Sequence, residues 1–254
     1  MGTEQREIIW SYGGGVQSVA ILVLIAQGKL QRPDRAIMAN TGRERTATWR
    51  YYEQHAKPVF DSIGLTLEIA GRELSKVDLY GHNGDLLLPC YTNTGKLPTF
   101  CSDEWKKLVV RRYLRNLGYG PDRPVINWLG FSLDEVHRIK PSDKKWIKNH
   151  WPLCFDYKRR RHECILEVVN FGLPEPPKSA CWACPNLDNP EWIDIKTNDP
   201  ADFAQAVALD YQIRKNDKRG GVYLHEDICP LDKVDFSVTK QPKPLWECAN
   251  VCMT

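Results

Sequence analysis

The chain has 254 residues, of which 42% are hydrophobic and 26% charged, with a formal net charge of +3. These proportions exclude a disordered or collagen-like polymer, and the length is enough for one sizeable core without disulfide staples. No run approaches the ~20 apolar residues a bilayer span requires, so no membrane partner is expected. The opening MGTEQREIIW lacks the charged, apolar and small-residue order of a secretory leader, so a cytoplasmic protein is expected. Nine cysteines in such a compartment call for metal, cluster or redox chemistry rather than disulfides.

In chain order, residues 7–10 read as a strand, followed by a glycine loop and an apolar helix over 19–27. A strand over 35–39 follows, then a helix over 46–63 with Trp49, Tyr52, Ala56, Val59 and Phe60 at three- and four-residue spacing. Residues 65–69 read as a third strand, 103–117 as a helix ended by Gly118, and 125–130 as a fourth strand. Strands alternating with helices at this spacing imply an α/β fold with a mostly parallel sheet and flanking helices. Beyond residue 130 the character changes. Residues 138–161 hold nine Lys or Arg against two acids, Asp143 and Asp156, which suits either a solvated face or a groove for phosphates or nucleic acid. Helices follow over 160–171, 190–196 and 200–216, with a proline cluster at 173–178 and a loop-rich stretch from Gly220 onward. The division expected is a nucleotide-binding α/β region over 1–135 and a helical, basic, cysteine-bearing region over 136–254.

SYGGGVQS lies between a strand and a helix, where a phosphate loop must lie. Gly13, Gly14 and Gly15 let the backbone approach phosphate oxygens with no Cβ in the way, and successive N–H groups there form an anion nest. Ser18 stands at the start of the following helix, whose unpaired N–H groups favour an anion, and Ser11 offers a further hydroxyl. A tight turn that binds nothing is the plain alternative. The loop fits neither GxxxxGK[ST] nor GxGxxG, which disfavours Walker-type and dinucleotide enzymes.

SYGGGVQS resembles the PP-loop, SGGxDS, of the adenine nucleotide α-hydrolase superfamily. That superfamily includes ATP pyrophosphatases, tRNA-thiolating and DNA-phosphorothioating enzymes, and the phosphoadenylyl-sulfate and adenylyl-sulfate (PAPS/APS) reductases. Gln17 stands where many members carry Asp, which bears on Mg2+ coordination. Two further segments, 39–49 and 128–140, resemble the second and third motifs of the sulfonucleotide reductases, with Asn40 in place of an Asp. The resemblance implies a Rossmann-like fold and assigns Ser11, Gly13, Gly14, Gly15, Gln17, Ser18, Thr41, Gly42, Glu44, Gly130 and Glu135 to an adenine nucleotide. It gives Arg138 and Lys140 the task of neutralising phosphate charge at the sheet's C-terminal edge.

CWAC brings Cys181 and Cys184 to one metal or cluster, or makes a redox dithiol. In the cluster-bearing reductases a Cys pair stands where this chain has Phe100 and Cys101. The resemblance thus implies a 4Fe–4S cluster on Cys101, Cys181 and Cys184. A zinc ion, completed by Cys248 and Cys252, is the alternative. Glu247 and Cys248 are similar to the reductases' C-terminal Glu-Cys-Gly, which would make Cys248 a nucleophile. Cys90, Cys154 and Cys164 read as core residues, Cys229 as a weak extra ligand, and His225 as a structural or site histidine. Trp128, Trp146, Trp151 and Trp182 among basic residues suit either a core or stacked bases. Three functions follow. One is ATP-dependent adenylation of an acceptor, such as an RNA or DNA base, with sulfur from a donor such as a cysteine desulfurase. The second is PAPS or APS reduction with a thioredoxin-like reductant, and the third is nucleic-acid binding on a zinc-pinned fold without turnover.

Overall fold

A computed structural model describes residues 6–71 and 78–238. These fall into two units, one of 6–40, 47–71 and 108–179, the other of 41–46, 78–107 and 180–238. Glu247, Cys248 and Cys252 lie outside the described residues.

The first unit carries five strands: β1 (Glu7–Ser11), β2 (Arg35–Asn40), β3 (Leu67–Gly71), β6 (Val125–Leu129) and β7 (Ile147–His150). They form one sheet in the order β3-β2-β1-β6-β7, every pairing parallel. This is the expected Rossmann-like α/β class. β1 takes the centre because its middle residues, Ile8, Ile9 and Trp10, are apolar on both faces, with charged Glu7 confined to the strand's first position. Ile9 and Trp10 are both fully buried but in different cores, as the alternation of a strand requires. Trp10 joins α1 (Val16–Ala26) and α6 (Arg161–Asn170), while Ile9 joins the face covered by α4 (Leu108–Asn116). α1 is apolar all round, and nine of its eleven residues are buried, which is why it cannot be a surface helix.

The expected helix over 46–63 is present as α2 (Thr46–Tyr51) and α3 (Lys57–Ser62), joined by a π-helical turn at Tyr52–Ala56. β3 starts two residues later than expected because Leu65 enters the core ahead of it. The basic stretch contains structure that its composition hides. IKNH forms β7, an edge strand with Ile147 buried and Lys148 exposed, and α5 (Pro152–Phe155) follows. Of the four tryptophans flanking this region, Trp128, Trp151 and Trp182 are buried core residues, and Trp146 is half-buried.

The second unit packs α7 (Asn189–Asn198) and α8 (Pro200–Asn216) with loops and a short hairpin, β4 (Tyr91–Thr92) and β5 (Gly95–Lys96). Its core includes Leu88, Trp105, Trp192, Ile213 and Leu224. Asp210 on α8 is fully buried and accepts from the backbone N–H of Leu224 (2.9 Å) and Leu231 (3.2 Å) and from Arg214 Nε (2.9 Å). One carboxylate thereby holds the loop-rich stretch after Gly220 to the helix. Among the described residues no helix is long and apolar enough to cross a membrane.

Candidate nucleotide loop and cysteine centre

β1 has β2 on one side and β6 on the other, so the strand order reverses between β1 and β6. In open parallel sheets that reversal opens a crevice at the strands' C-terminal ends. The loop after β1 and the loop after β6 both lie there. Gly15 is the N-cap of α1, with extended backbone (φ −99°, ψ −176°) and no side-chain cap. The first-turn N–H groups of Val16, Gln17 and Ser18 therefore have no intrahelical acceptor and face the loop. Gly14 has φ +73°, the left-handed region, and a Cβ there would stand 2.7 Å from Thr48 Cγ2. A Cβ on Gly15 would stand 3.0 Å from Ser179 Cβ. Gly14 is thus required by space as well as by dihedral angle, and Gly15 by space alone. Ser18 Oγ accepts from the Gly13 N–H (2.9 Å), which draws the loop tight. Ser11 gives its hydroxyl proton to Asn127 Oδ1 (2.8 Å) on β6 instead of to the loop.

After β6, Gly130 lies against Ser18, and Ser132 and Glu135 form a capping box on a 3-10 turn over Leu133–Arg138. Glu135 accepts from Gln17 Nε2 (3.0 Å) and pairs with Arg138. Arg161 Nη1 donates to Gln17 Oε1 (3.4 Å), and its backbone N–H donates to Asp134 (2.6 Å). Gln17 therefore sits between a carboxylate and a guanidinium, satisfied on both sides. An Asp at this position would set two carboxylates against each other. Lys140 is exposed, and its carbonyl accepts from Asn149 (3.1 Å). Sequence reasoning missed Arg161 and Ser179, whose hydroxyl donates to the Gly13 carbonyl. Arg161 was visible only as one charge in a basic run, and Ser179 as a linker residue.

Thr41, Gly42 and Glu44 belong to the second unit, together with the cysteines. Segment 43–45 runs antiparallel to 180–182: Trp182 N–H donates to the Arg43 carbonyl (2.8 Å), and Glu44 bridges Cys181. Thr41 Oγ1 lies 3.4 Å from Cys181 Sγ and 3.4 Å from Glu44 Oε1. Lys106 Nζ lies 3.7 Å from the buried Glu44 carboxylate. Burial, with Glu44 beside it, pushes the Cys181 thiol up to about 12. Arg43 stacks on Trp105 (4.6 Å) and is held below the ordinary guanidinium range by burial, against the pull of Cys181 and Cys101. Cys184 closes a turn onto the Cys181 carbonyl (3.1 Å). Cys101, Cys181 and Cys184 all belong to this unit, and thiolates are the donors that a thiophilic metal prefers. Among the described residues, however, no group of three or more His, Cys, Asp or Glu is drawn together as a ligand set.

Cys90, Cys154 and Cys164 are buried core thiols, and burial raises all three, Cys154 to about 11 and Cys164 to about 12. His225 is buried, with Nε2 2.9 Å from Asn189 Oδ1 and Nδ1 accepting from the Asp227 N–H (3.2 Å). It is a structural histidine.

No family model matches the chain, and no curated protein matches it. Two solved structures are similar to it. One is the crystal structure of phosphoadenylyl-sulfate (PAPS) reductase from Candida auris in a phosphate complex, at 13% identity over 70% of this chain and 83% of that one, TM-score 0.48. The other is the U34-tRNA thiolase NcsA from Methanococcus maripaludis with its 4Fe–4S cluster, at 18% identity over 84% of this chain and 68% of that one, TM-score 0.45. Likeness at this level says nothing of chemistry.

Proposed function

We propose that this chain is an enzyme that grips the phosphates of ATP in the loop over 13–18, adenylates an acceptor and passes sulfur to it. The observation that supports this reading is a Cβ-free, left-handed glycine turn ahead of an uncapped helix N-terminus, at the point where the strand order reverses. The resemblance of SYGGGVQS to the PP-loop supports adenine as the base. In the first step an acceptor oxygen attacks the α-phosphorus, the bond to the bridging oxygen breaks, and pyrophosphate leaves with the electron pair. A thiolate or sulfide from the sulfur donor then forms the bond to the acceptor carbon, and AMP leaves with the oxygen. The chain's contribution to the first step is positioning and charge neutralisation: loop N–H groups on the phosphate oxygens, and Arg138, Lys140 and Arg161 against their charge. Mg2+ would be held by the nucleotide's own phosphates, with Glu135 as the carboxylate this chain would offer it, and would add to that neutralisation.

A 4Fe–4S cluster on Cys101, Cys181 and Cys184, or a zinc ion on Cys181 and Cys184 completed by Cys248 and Cys252, belongs to this reading as the centre that thiolate donors suit. No step is routed through it, because the described thiols do not form a ligand set. Anaerobic purification with iron, sulfide and zinc analysis tests it: iron with sulfide supports the cluster, one zinc supports the alternative, and neither removes both. The reaction itself is tested by product. Pyrophosphate release from ATP, stimulated by RNA or DNA, supports the proposal. Sulfite release from PAPS or APS, lost on Cys248→Ser, would replace it with the reductase reading.

A further inference from the structure

The first unit holds a second polar feature that the nucleotide loop does not use. Leu108, Arg111, Arg112, Arg115 and Asn116 of α4 line an open groove of about 320 Å³ together with Lys144 and Trp146, which precede β7. The residues from α4 recur at three- and four-residue spacing, so one face of the helix supplies one wall. Two segments separated by about thirty positions in sequence thus combine four cations in one place. The acid among them is Asp143, which pairs with Arg111 and lies 3.4 Å from Lys144. Arg111, Lys144 and Asp143 together leave one positive charge, and Arg112 and Arg115 add two more. That local surplus of three equals the formal charge of the entire chain. Trp146 is half-buried: it packs on the core beneath α4 while lining the groove, which holds its ring in place at little entropic cost.

We propose that this groove binds single-stranded nucleic acid, with the arginines on successive phosphates and an unstacked base on Trp146. Cations spaced along a helix beside a fixed aromatic ring match the alternation of phosphate and base along a strand. A groove of this volume, at the low end of small-ligand sites, holds a single nucleotide unit and not a duplex. An anionic membrane would find the same charges and ring, so vesicle binding is the rival outcome of the test. The inference goes beyond the nucleotide reading and stands without it, since neither Arg112 nor Arg115 belongs to the loop.

The test uses the full chain and a fluorescein-labelled dodecamer of deoxythymidine or uridine, read by anisotropy between 50 and 200 mM KCl. Three neutralised phosphates predict a log–log salt slope of about −2, since each contributes roughly −0.7 on a single strand. Arg112→Ala with Arg115→Ala removes two, so the slope should fall to about −0.7 and affinity at 0.15 M salt should drop about 14-fold. Trp146→Leu keeps apolar packing but removes the stacking ring, and should weaken binding about tenfold without changing the slope. AMP calorimetry on the same variants should be unchanged, which separates failure here from failure of the nucleotide loop. Absence of oligonucleotide binding at 50 mM KCl, or an unchanged affinity in the double arginine variant, overturns the proposal. Binding to anionic phosphatidylserine vesicles that matches the oligonucleotide overturns it in favour of a membrane surface.

Discussion

Gly14→Ala isolates the claim that the loop's shape is dictated by its neighbours. At φ +73° an alanine pays for a left-handed backbone, roughly 1–2 kcal/mol. Its Cβ would also stand 2.7 Å from Thr48 Cγ2, about 1 Å inside ordinary contact. Thr48 is 1% exposed and β-branched, so it cannot rotate away cheaply, and overpacking of this kind costs roughly 1–3 kcal/mol. The expected loss is therefore about 2–5 kcal/mol, from two separable causes. Gly28→Ala serves as the control, since Gly28 has φ +71° with nothing within 4 Å of a Cβ, and should lose only the backbone part. Thr48→Ser in the Gly14→Ala background deletes the colliding methyl and should recover the packing part. Urea unfolding of the four proteins measures the differences, and calorimetry with AMP should show a loss on the order of tenfold for Gly14→Ala. The reasoning is refuted if Gly14→Ala costs no more than Gly28→Ala, or if Thr48→Ser brings no recovery.

Gln17→Glu would set a second carboxylate 3.0 Å from Glu135, a repulsion of about 5 kcal/mol at an effective dielectric of ~20 and about 1–2 kcal/mol at that of bulk water. The melting temperature should fall in chelator and recover with millimolar Mg2+; melting equal to wild type in chelator would sink the contact. Asp210→Ala strips acceptors from two buried backbone N–H groups and from Arg214, and should destabilise by roughly 3–5 kcal/mol, with protease cutting appearing first between 220 and 231. Asp194 and Asp217 are held below the ordinary carboxylate range by Arg45 and Arg219 respectively. Because their folded values lie below the unfolded value of about 3.9, their stabilisation is complete above it and is lost as pH falls through the folded values. Melting temperature should drop more steeply below about pH 4 in the wild type than in Asp194→Asn with Asp217→Asn.

Elements whose stability is written in consecutive residues were legible in the sequence. The apolar runs of β1 and α1, the glycine turn between them and the periodic residues of α2 and α3 all lie where pattern places them. β7 was not legible, because IKNH offers one buried apolar side chain and gains its remaining order from pairing with β6. The π turn at 52–56 likewise leaves no mark on a pattern of three- and four-residue spacing. The cysteine motif was legible locally, but its surroundings were not. Thr41 and Cys181 are 140 positions apart, and nothing in either segment announces that Glu44 and Arg43 will flank the thiols. The three arginines on α4 carry no signal of their own until Lys144 and Trp146 are placed beside them.

The choice of Gln at residue 17 is best understood from what the fold brings to it. Because β1 and β6 are neighbours at the reversal point, the turn after each must occupy the same crevice, and residues 17 and 135 meet although 118 positions separate them. Glu135 is already committed to Arg138 and to the capping box of its own turn, so a negative charge exists there whatever residue 17 is. Asp134 and Glu135 face Arg138, Arg160 and Arg161 at this turn, so the cations outnumber the acids there. Asp at 17 would reduce that surplus and set two carboxylates side by side. A neutral amide keeps the surplus, and also joins Glu135 to Arg161, so that loop, turn and helix α6 are held in one hydrogen-bonded chain before any phosphate arrives. With a neutral amide at residue 17 the negative charge stays on the strand-end turn alone, and under the proposed function the loop would take up a phosphate without prior binding of Mg2+.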